Sequence, residues 1–272
     1  MIFRRYHGGF CFAVLVTVMS FLGSQGPAKA ETSYFGPIVT GLLELPGYGY
    51  PVYLFIPDNY DPVREYPLMI SIPDEGETAE ENIQRWIGLA KRRSLIVMAP
   101  TNLRPQDTPK KMDEWVLKIK KDVAQRYHVS GKRIYLVGFK DGAHYAAYLA
   151  TNYPQEFTAV GLLKGSWVGR FQSLLQEKKA SSDQVPFFLA LKDETNDFMN
   201  QTREVARRYE EKGYLVFLRP LEDDKELDEL EFKNEMLQWL DQKSQAWDDE
   251  IAVEKGTFKG KFHEWVHRQF KM

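Results

Sequence analysis

The order of apolar runs along the chain narrows its fold more than any other feature. Short stretches rich in β-branched and aromatic residues recur at 51–56, 68–72, 95–99, 133–139, 159–163, 186–191 and 215–218. Between them lie longer segments whose apolar residues return every three or four positions. That alternation predicts a parallel sheet joined by crossover helices, an α/β fold. Several of the strands are apolar without a break, as expected where both faces of a sheet are covered.

The intervening segments carry helical periods. Ile83, Trp86, Ile87 and Ala90 fall at i, i+3, i+4 and i+7, behind a capping box begun by Thr78 and completed by Glu81. Met112, Trp115, Val116, Ile119 and Val123 repeat the spacing, as do Ala143, Ala146, Ala147 and Ala150. Thr202, Val205, Ala206 and Tyr209 make another helix, stopped by Gly213, and Phe232, Met236, Trp239 and Leu240 make the last. These tryptophans and alanines read as core packing. With no Pro/Ser linker and no internal repeat, residues 31–243 are expected to form one domain.

Both ends have a different character. Arg4 and Arg5 precede an apolar run over 10–23, and Ala28-Lys29-Ala30 follows it, which is the pattern of an export signal over 1–30 cut near Ala30. The expected location is secreted or periplasmic, with an uncleaved signal anchor as the alternative. The single cysteine, Cys11, would leave with the signal, so neither disulfide nor thiol chemistry is expected of the mature chain. Losing Arg4, Arg5 and Lys29 takes the net charge from −2 to −5, which argues against nucleic acid as a partner. At the other end, 244–272 forms a tail whose last part is basic: from Lys255 onward, five Lys or Arg stand against one Glu264, with Phe262, Trp265, Val266 and Phe270 interleaved. Such a segment could fold back on the acidic body, lie on an anionic membrane surface or bind an acidic partner.

At 137–142 the chain reads Val-Gly-Phe-Lys-Asp-Gly, then a helix of small residues. Strand, tight turn and helix follow the G-x-S-x-G elbow, with Gly138 and Gly142 flanking the position of the nucleophile. That position holds Lys140. Together with IPDNYDPVREYPLMISI and RIYLVGFKDGAHYAAYLATNYPQEFTAV, the elbow resembles secreted α/β-hydrolases of the polyhydroxybutyrate depolymerase and feruloyl-esterase type over roughly 45–242. The resemblance implies an α/β-hydrolase fold, a mostly parallel sheet of about eight strands with helices on both faces.

It also implies a site with four parts, in the order serine, acid, histidine along the chain, plus an oxyanion hole. Lys140 offers an ammonium where a hydroxyl should be. Attack by a lysine of depressed pKa is the less favoured alternative, because nearby acids would hold its proton on. The oxyanion hole would use the Asp141 amide and an amide of Pro73-Asp74-Glu75-Gly76, where two carboxylates oppose the developing negative charge. The acid would lie just past the strand at 186–191, with Asp193, Glu194 and Asp197 all available. The histidine belongs on the loop after 215–218, where Asp223 and Asp224 stand instead; none occurs between His144 and His263.

A second motif is His263-Glu264-Trp265-Val266-His267, which matches H-E-x-x-H. A zinc site would need a third ligand, and no His, Asp or Glu follows His267; His128 and His144 are the remaining histidines that could supply it. A chance match on an amphipathic tail is the preferred reading, so no metal and no cofactor are expected. Ser166 has no elbow around it.

The sequence therefore points to a catalytically degenerate α/β-hydrolase, a pseudo-esterase that binds a ligand or protein partner, with Lys140 as the ligand-binding candidate. The alternatives are an active carboxylic-ester hydrolase, which would have to work without the serine, and, more remotely, a zinc hydrolase. Lys140 is expected to pair with Asp74, Glu75 or Asp193.

Overall fold

Adjacent residues of a strand face opposite sides of its sheet, and Phe187 and Phe188 show what each side holds. In the computed structural model, Phe187 packs against Trp167 and Tyr209, whereas Phe188 packs against Phe232 and Trp239. One strand thus separates two cores. Burying a side chain of this size contributes roughly 1.5–3 kcal/mol. The structure describes residues 38–101, 108–176, 184–192 and 194–249, with side chains in the last helix through Ser244.

The strands are β1 (Gly41–Glu44), β2 (Val52–Ile56), β3 (Tyr66–Ile72), β4 (Ile96–Pro100), β5 (Val129–Phe139), β6 (Ala159–Leu163), β7 (Phe187–Lys192) and β8 (Val216–Leu221). They form one sheet in the order β1-β2-β4-β3-β5-β6-β7-β8. The β1–β2 and β2–β4 pairs are antiparallel and the rest parallel. The helices are α1 (Ala79–Arg93), α2 (Pro109–Arg126), α3 (Asp141–Asn152), α4 (Asp197–Glu211) and α5 (Leu230–Asp249). All described residues belong to one compact unit beginning at Ile38. Among them no helix is long and apolar enough to cross a membrane.

Helices α1 and α5 cover one face, where Ile83, Trp86, Phe232, Met236 and Leu240 meet Met69, Val97, Tyr135 and Val137. The capping box is present: the Thr78 hydroxyl accepts from the Glu81 amide, and the Glu81 carboxylate accepts from the Thr78 amide. A buried polar tie fixes α1 to the sheet. Trp86 Nε1 donates to Ser71 Oγ at 2.7 Å, Ser71 Oγ donates to Asn82 Oδ1 at 2.9 Å, and Asn82 Nδ2 donates to the Ser71 carbonyl at 2.7 Å. Every donor is satisfied within the tie, as burial requires.

The other face carries α2, α3 and α4. There the buried Asp113 of α2 accepts hydrogen bonds from the hydroxyls of Tyr145 (2.8 Å), Tyr148 (2.8 Å) and Tyr153 (3.2 Å). Desolvation raises the Asp113 carboxyl above its ordinary range, against the lowering effect of the three hydroxyls.

Most strand bounds shift by a residue or two, and three departures are larger. β1 was not foreseen, because four residues alternating in exposure give little signal. β5 begins at Val129, four residues before 133, where Tyr66 pairs with Val129 ahead of a register shift. β8 continues past 218 through Arg219 and Pro220 to Leu221. Proline is tolerated there because β8 lies at the sheet edge. The last helix, α5, runs on to Asp249, beyond the expected start of the tail at 244.

Replacing Asp113 by Ala leaves three tyrosine hydroxyls without their acceptor, and chemical denaturation should show a loss of about 3 kcal/mol. The pH dependence has a definite sign. A carboxyl with a raised folded pKa contributes fully below the unfolded value near pH 4, and that contribution is lost as pH rises through the folded value. The stability of the parent relative to Asp113→Asn should therefore fall as pH rises above about 4.

Candidate functional site

The carboxyl ends of parallel strands are where folds of this kind place their sites, and the turn between β5 and α3 lies there. Lys140 is the N-cap of α3, with φ 47° and ψ −112°. A side chain at positive φ costs roughly 1–3 kcal/mol and persists only where its surroundings hold it. Three contacts do so: the Lys140 amide donates to the Leu163 carbonyl at 2.8 Å, and the Lys140 carbonyl accepts from the amides of Ala143 (2.9 Å) and His144 (3.3 Å).

Both elbow glycines are required by close approach. A Cβ on Gly138 would lie 2.5 Å from Ala143 Cα and 2.6 Å from its nitrogen. On Gly142 it would run into the carbonyl oxygens of Ile72 and Pro73. Gly165, which sequence reasoning missed, presses on the elbow from the loop after β6; a Cβ there would lie 2.6 Å from the Lys140 carbonyl oxygen and 2.7 Å from Ala143 Cβ.

Of the two expected partners of Lys140 among the described residues, Asp74 and Glu75, the structure selects Asp74. Lys140 Nζ donates to Asp74 Oδ2 at 2.7 Å, with the two side chains 47% and 17% exposed. The other oxygen, Oδ1, accepts from the Glu75 amide at 2.9 Å and from the Asp141 amide at 3.4 Å. Glu75 therefore contributes its backbone, and its exposed side chain is not the partner. The loop is anchored behind this contact. Glu77 accepts from the Asp74 amide at 3.2 Å and from Arg85 at 2.7 Å, and Arg85 also donates to Asp228 at 2.8 Å.

The position where the resemblance would place a histidine is likewise an ion pair. Asp224, in the short helical turn Asp224–Asp228, accepts from Lys164 Nζ at 2.5 Å. That hydrogen bond, followed by the fields of Lys164, Lys192 and Lys140, holds the Asp224 carboxyl below its ordinary range. Asp223 caps the same turn together with Glu226. Lys164 was not anticipated, although it follows β6 directly and has φ 59°. Lys192 ends β7 and pairs with Glu194 at 3.0 Å, which raises its pKa. Lysines thus stand at the ends of three neighbouring strands. A signal was present in the sequence, since each follows an apolar run directly.

The remaining described candidates do not gather here. Asp197 is an exposed residue in the first turn of α4, behind the N-cap Asn196. Asp193, His263 and His267 lie outside the described residues. His144 Nδ1 lies 2.7 Å from the Ser166 carbonyl oxygen and 3.4 Å from the Ser166 amide nitrogen, which ties the ring to the loop after β6. Ser166 Oγ pairs instead with Thr202 Oγ1 at 2.9 Å and is fully buried. His128 and His144 cannot share a metal, since one precedes the eleven-residue β5 and the other follows it, a span of roughly 35 Å at 3.3 Å per residue. Among the described residues no group of three or more His, Cys, Asp or Glu could hold a metal ion. What the described residues bring together is a set of ion pairs around an elbow, with a cation at the position of the nucleophile.

Comparison with known proteins bears on the fold and on the elbow region. Residues 112–187, from α2 to the start of β7 and including the elbow, match the family model described as Esterase PHB depolymerase. No curated protein matches the sequence. Among solved structures, a thermostable esterase superposes with TM-score 0.55 at 19% identity, over 73% of this chain and 61% of that one. Est1E from Butyrivibrio proteoclasticus gives 0.54 at 15% identity, over 76% of this chain and 100% of its own. The poly(3-hydroxybutyrate) depolymerase LpqC from Bordetella parapertussis gives 0.51 at 14%, over 70% and 88%. The fold is that of the α/β-hydrolases. Within that class, the elbow region resembles the polyhydroxybutyrate depolymerase esterases.

Gly142→Ala should lower stability by about 2–3 kcal/mol in thermal or chemical unfolding, because backbone oxygens cannot yield to the new methyl group. Gly131→Ala, in β5 with nothing within 4 Å of its Cβ position, is the control and should stay within about 0.5 kcal/mol of the parent.

Proposed function

We propose that this chain is an exported protein that uses an α/β-hydrolase fold without acyl transfer, binding a ligand or protein partner through the crevice or the basic tail. One observation carries the reading. The residue at the nucleophile position is a lysine whose ammonium is paired with Asp74, and the same carboxylate takes up the Asp141 amide that a hydrolase would turn toward its oxyanion. Acyl transfer needs a nucleophile relieved of its proton and donors free to receive developing charge. Here both are engaged with one anion. The loop that would carry the histidine has Asp224 in a pair with Lys164. Export rests on the pattern of residues 1–30, and the tail on its basic and aromatic composition.

A second reading has its own support. The family model matched by 112–187 and the structures that superpose on the chain carry the names of esterases and a depolymerase. Taken by name, these favour an active carboxylic-ester hydrolase more than a pseudo-enzyme. Fold and chemistry are separable, however. A serine-independent hydrolase of this fold would have to employ Lys140 itself. The zinc reading of His263 and His267 is tested by metal analysis of the purified chain, where stoichiometric zinc would revive it.

Hydrolysis of p-nitrophenyl acetate and butyrate by the full chain, run beside Lys140→Ala, separates the two readings. The account expects both proteins to stay at the rate of the uncatalysed ester. Turnover in the parent that disappears in the variant would establish lysine chemistry and overturn the proposal.

A further inference from the structure

Beyond the question of hydrolysis, the contact between Asp74 and the elbow has the form of a site closed by its own chain. Three donors of different origin converge on one carboxylate: the Lys140 ammonium on Oδ2, and the amides of Glu75 and Asp141 on Oδ1. An ammonium with two convergent N–H groups is a donor set suited to a small oxyanion. Asp74 comes from the loop between β3 and α1, while Lys140 and Asp141 come from the turn between β5 and α3. The contact therefore ties the two segments together. It is braced from behind by Glu77, Arg85 and Asp228, so the carboxylate is held in place by more than its own attraction to the lysine.

We propose that this is an autoinhibitory contact, in which Asp74 acts as an internal anion that keeps external oxyanions, carboxylate or phosphate alike, away from Lys140 and the elbow amides. Two features give it that effect. The carboxylate satisfies the donors that an incoming anion would need, and its charge cancels that of the lysine at short range. Asp224 does the same for Lys164 in the neighbouring loop. The lysines at the strand ends are thus matched by carboxylates, and the crevice is closed to anions as long as Asp74 stays seated. Lys140 remains nearly half exposed, so removing the carboxylate would leave its ammonium within reach of solvent ions.

The test is a titration of the full chain and of Asp74→Ala with sodium acetate and, separately, inorganic phosphate at constant ionic strength, following the backbone amide resonance of Asp141. The parent should show no saturable shift up to tens of millimolar. Asp74→Ala should show one, tighter than the parent by at least tenfold, and Asp74→Ala combined with Lys140→Ala should lose it. Saturation by acetate alone or by phosphate alone would tell which oxyanion the exposed donors accept, and either supports the contact as a block. An Asp74→Ala chain that responds no more than the parent, or a parent that already saturates, would overturn the proposal. If Asp74→Ala does not fold, Asp74→Ser carries the same expectation. Ester turnover by the parent would end the non-hydrolytic reading and leave this one standing, since the readout here is anion binding.

Discussion

Everything around the crevice depends on the close packing of the β5–α3 turn. Gly138 and Gly142 let backbone meet backbone there, and Lys140 is held at positive φ between them. A side chain in that conformation projects from the tip of a sharp turn, whatever its chemistry. The turn therefore has the shape of a nucleophile elbow, because that shape is fixed by glycine packing, by the Leu163 carbonyl and by the first turn of α3. The identity of the residue at the tip is set by nothing in the packing. Shape and chemistry can part company at such a position, and the charge of Lys140 then decides what its neighbours must be.

A cation at the end of a central strand calls for an anion, and the loops that face it supply carboxylates. Asp74 answers Lys140, Asp224 answers Lys164 and Glu194 answers Lys192. Each pair is partly exposed, so solvent screening leaves each with little effect on stability. Their consequence lies in the field they leave behind. Where an acyl-transfer enzyme concentrates uncommitted donors, these loops present donors already engaged, and the lysines take part in short-range pairs that salt would weaken.

Much of this was legible in the sequence, for identifiable reasons. The long apolar runs of β3, β5 and β6 and the periodic helices α1 and α3 announce themselves because tertiary packing and local pattern agree there. The capping box of Thr78 and Glu81 and the elbow glycines could be read for the same reason: each is a local device with a fixed spacing. β1 could not, since four residues at an edge carry almost no pattern, and neither could the end of β8, where a proline signals a break that an edge strand does not need to obey. In the site, the pairing of Lys140 with one of its nearby acids was predictable, but the choice of Asp74 over Glu75 depends on loop geometry. Gly165 and Arg85 went unnoticed because their roles come from contacts between segments distant in the chain, whereas Lys164 was passed over although it directly follows an apolar run. The similarity to esterases covers the fold and the elbow region, and the chemistry rests on individual side chains that such similarity does not reach.

The central claim is that the hydrolytic apparatus is missing as a set, so that restoring its most conspicuous part restores nothing. The direct measurement is the rate of p-nitrophenyl acetate hydrolysis by Lys140→Ser, in the full chain, against the uncatalysed ester. With Asp74 seated on the Asp141 amide and Asp224 at the position of the base, the account predicts no turnover above that background. A serine variant that hydrolyses the ester at the rates of an enzyme would mean that a working base and oxyanion hole survive around the elbow, and would contradict it.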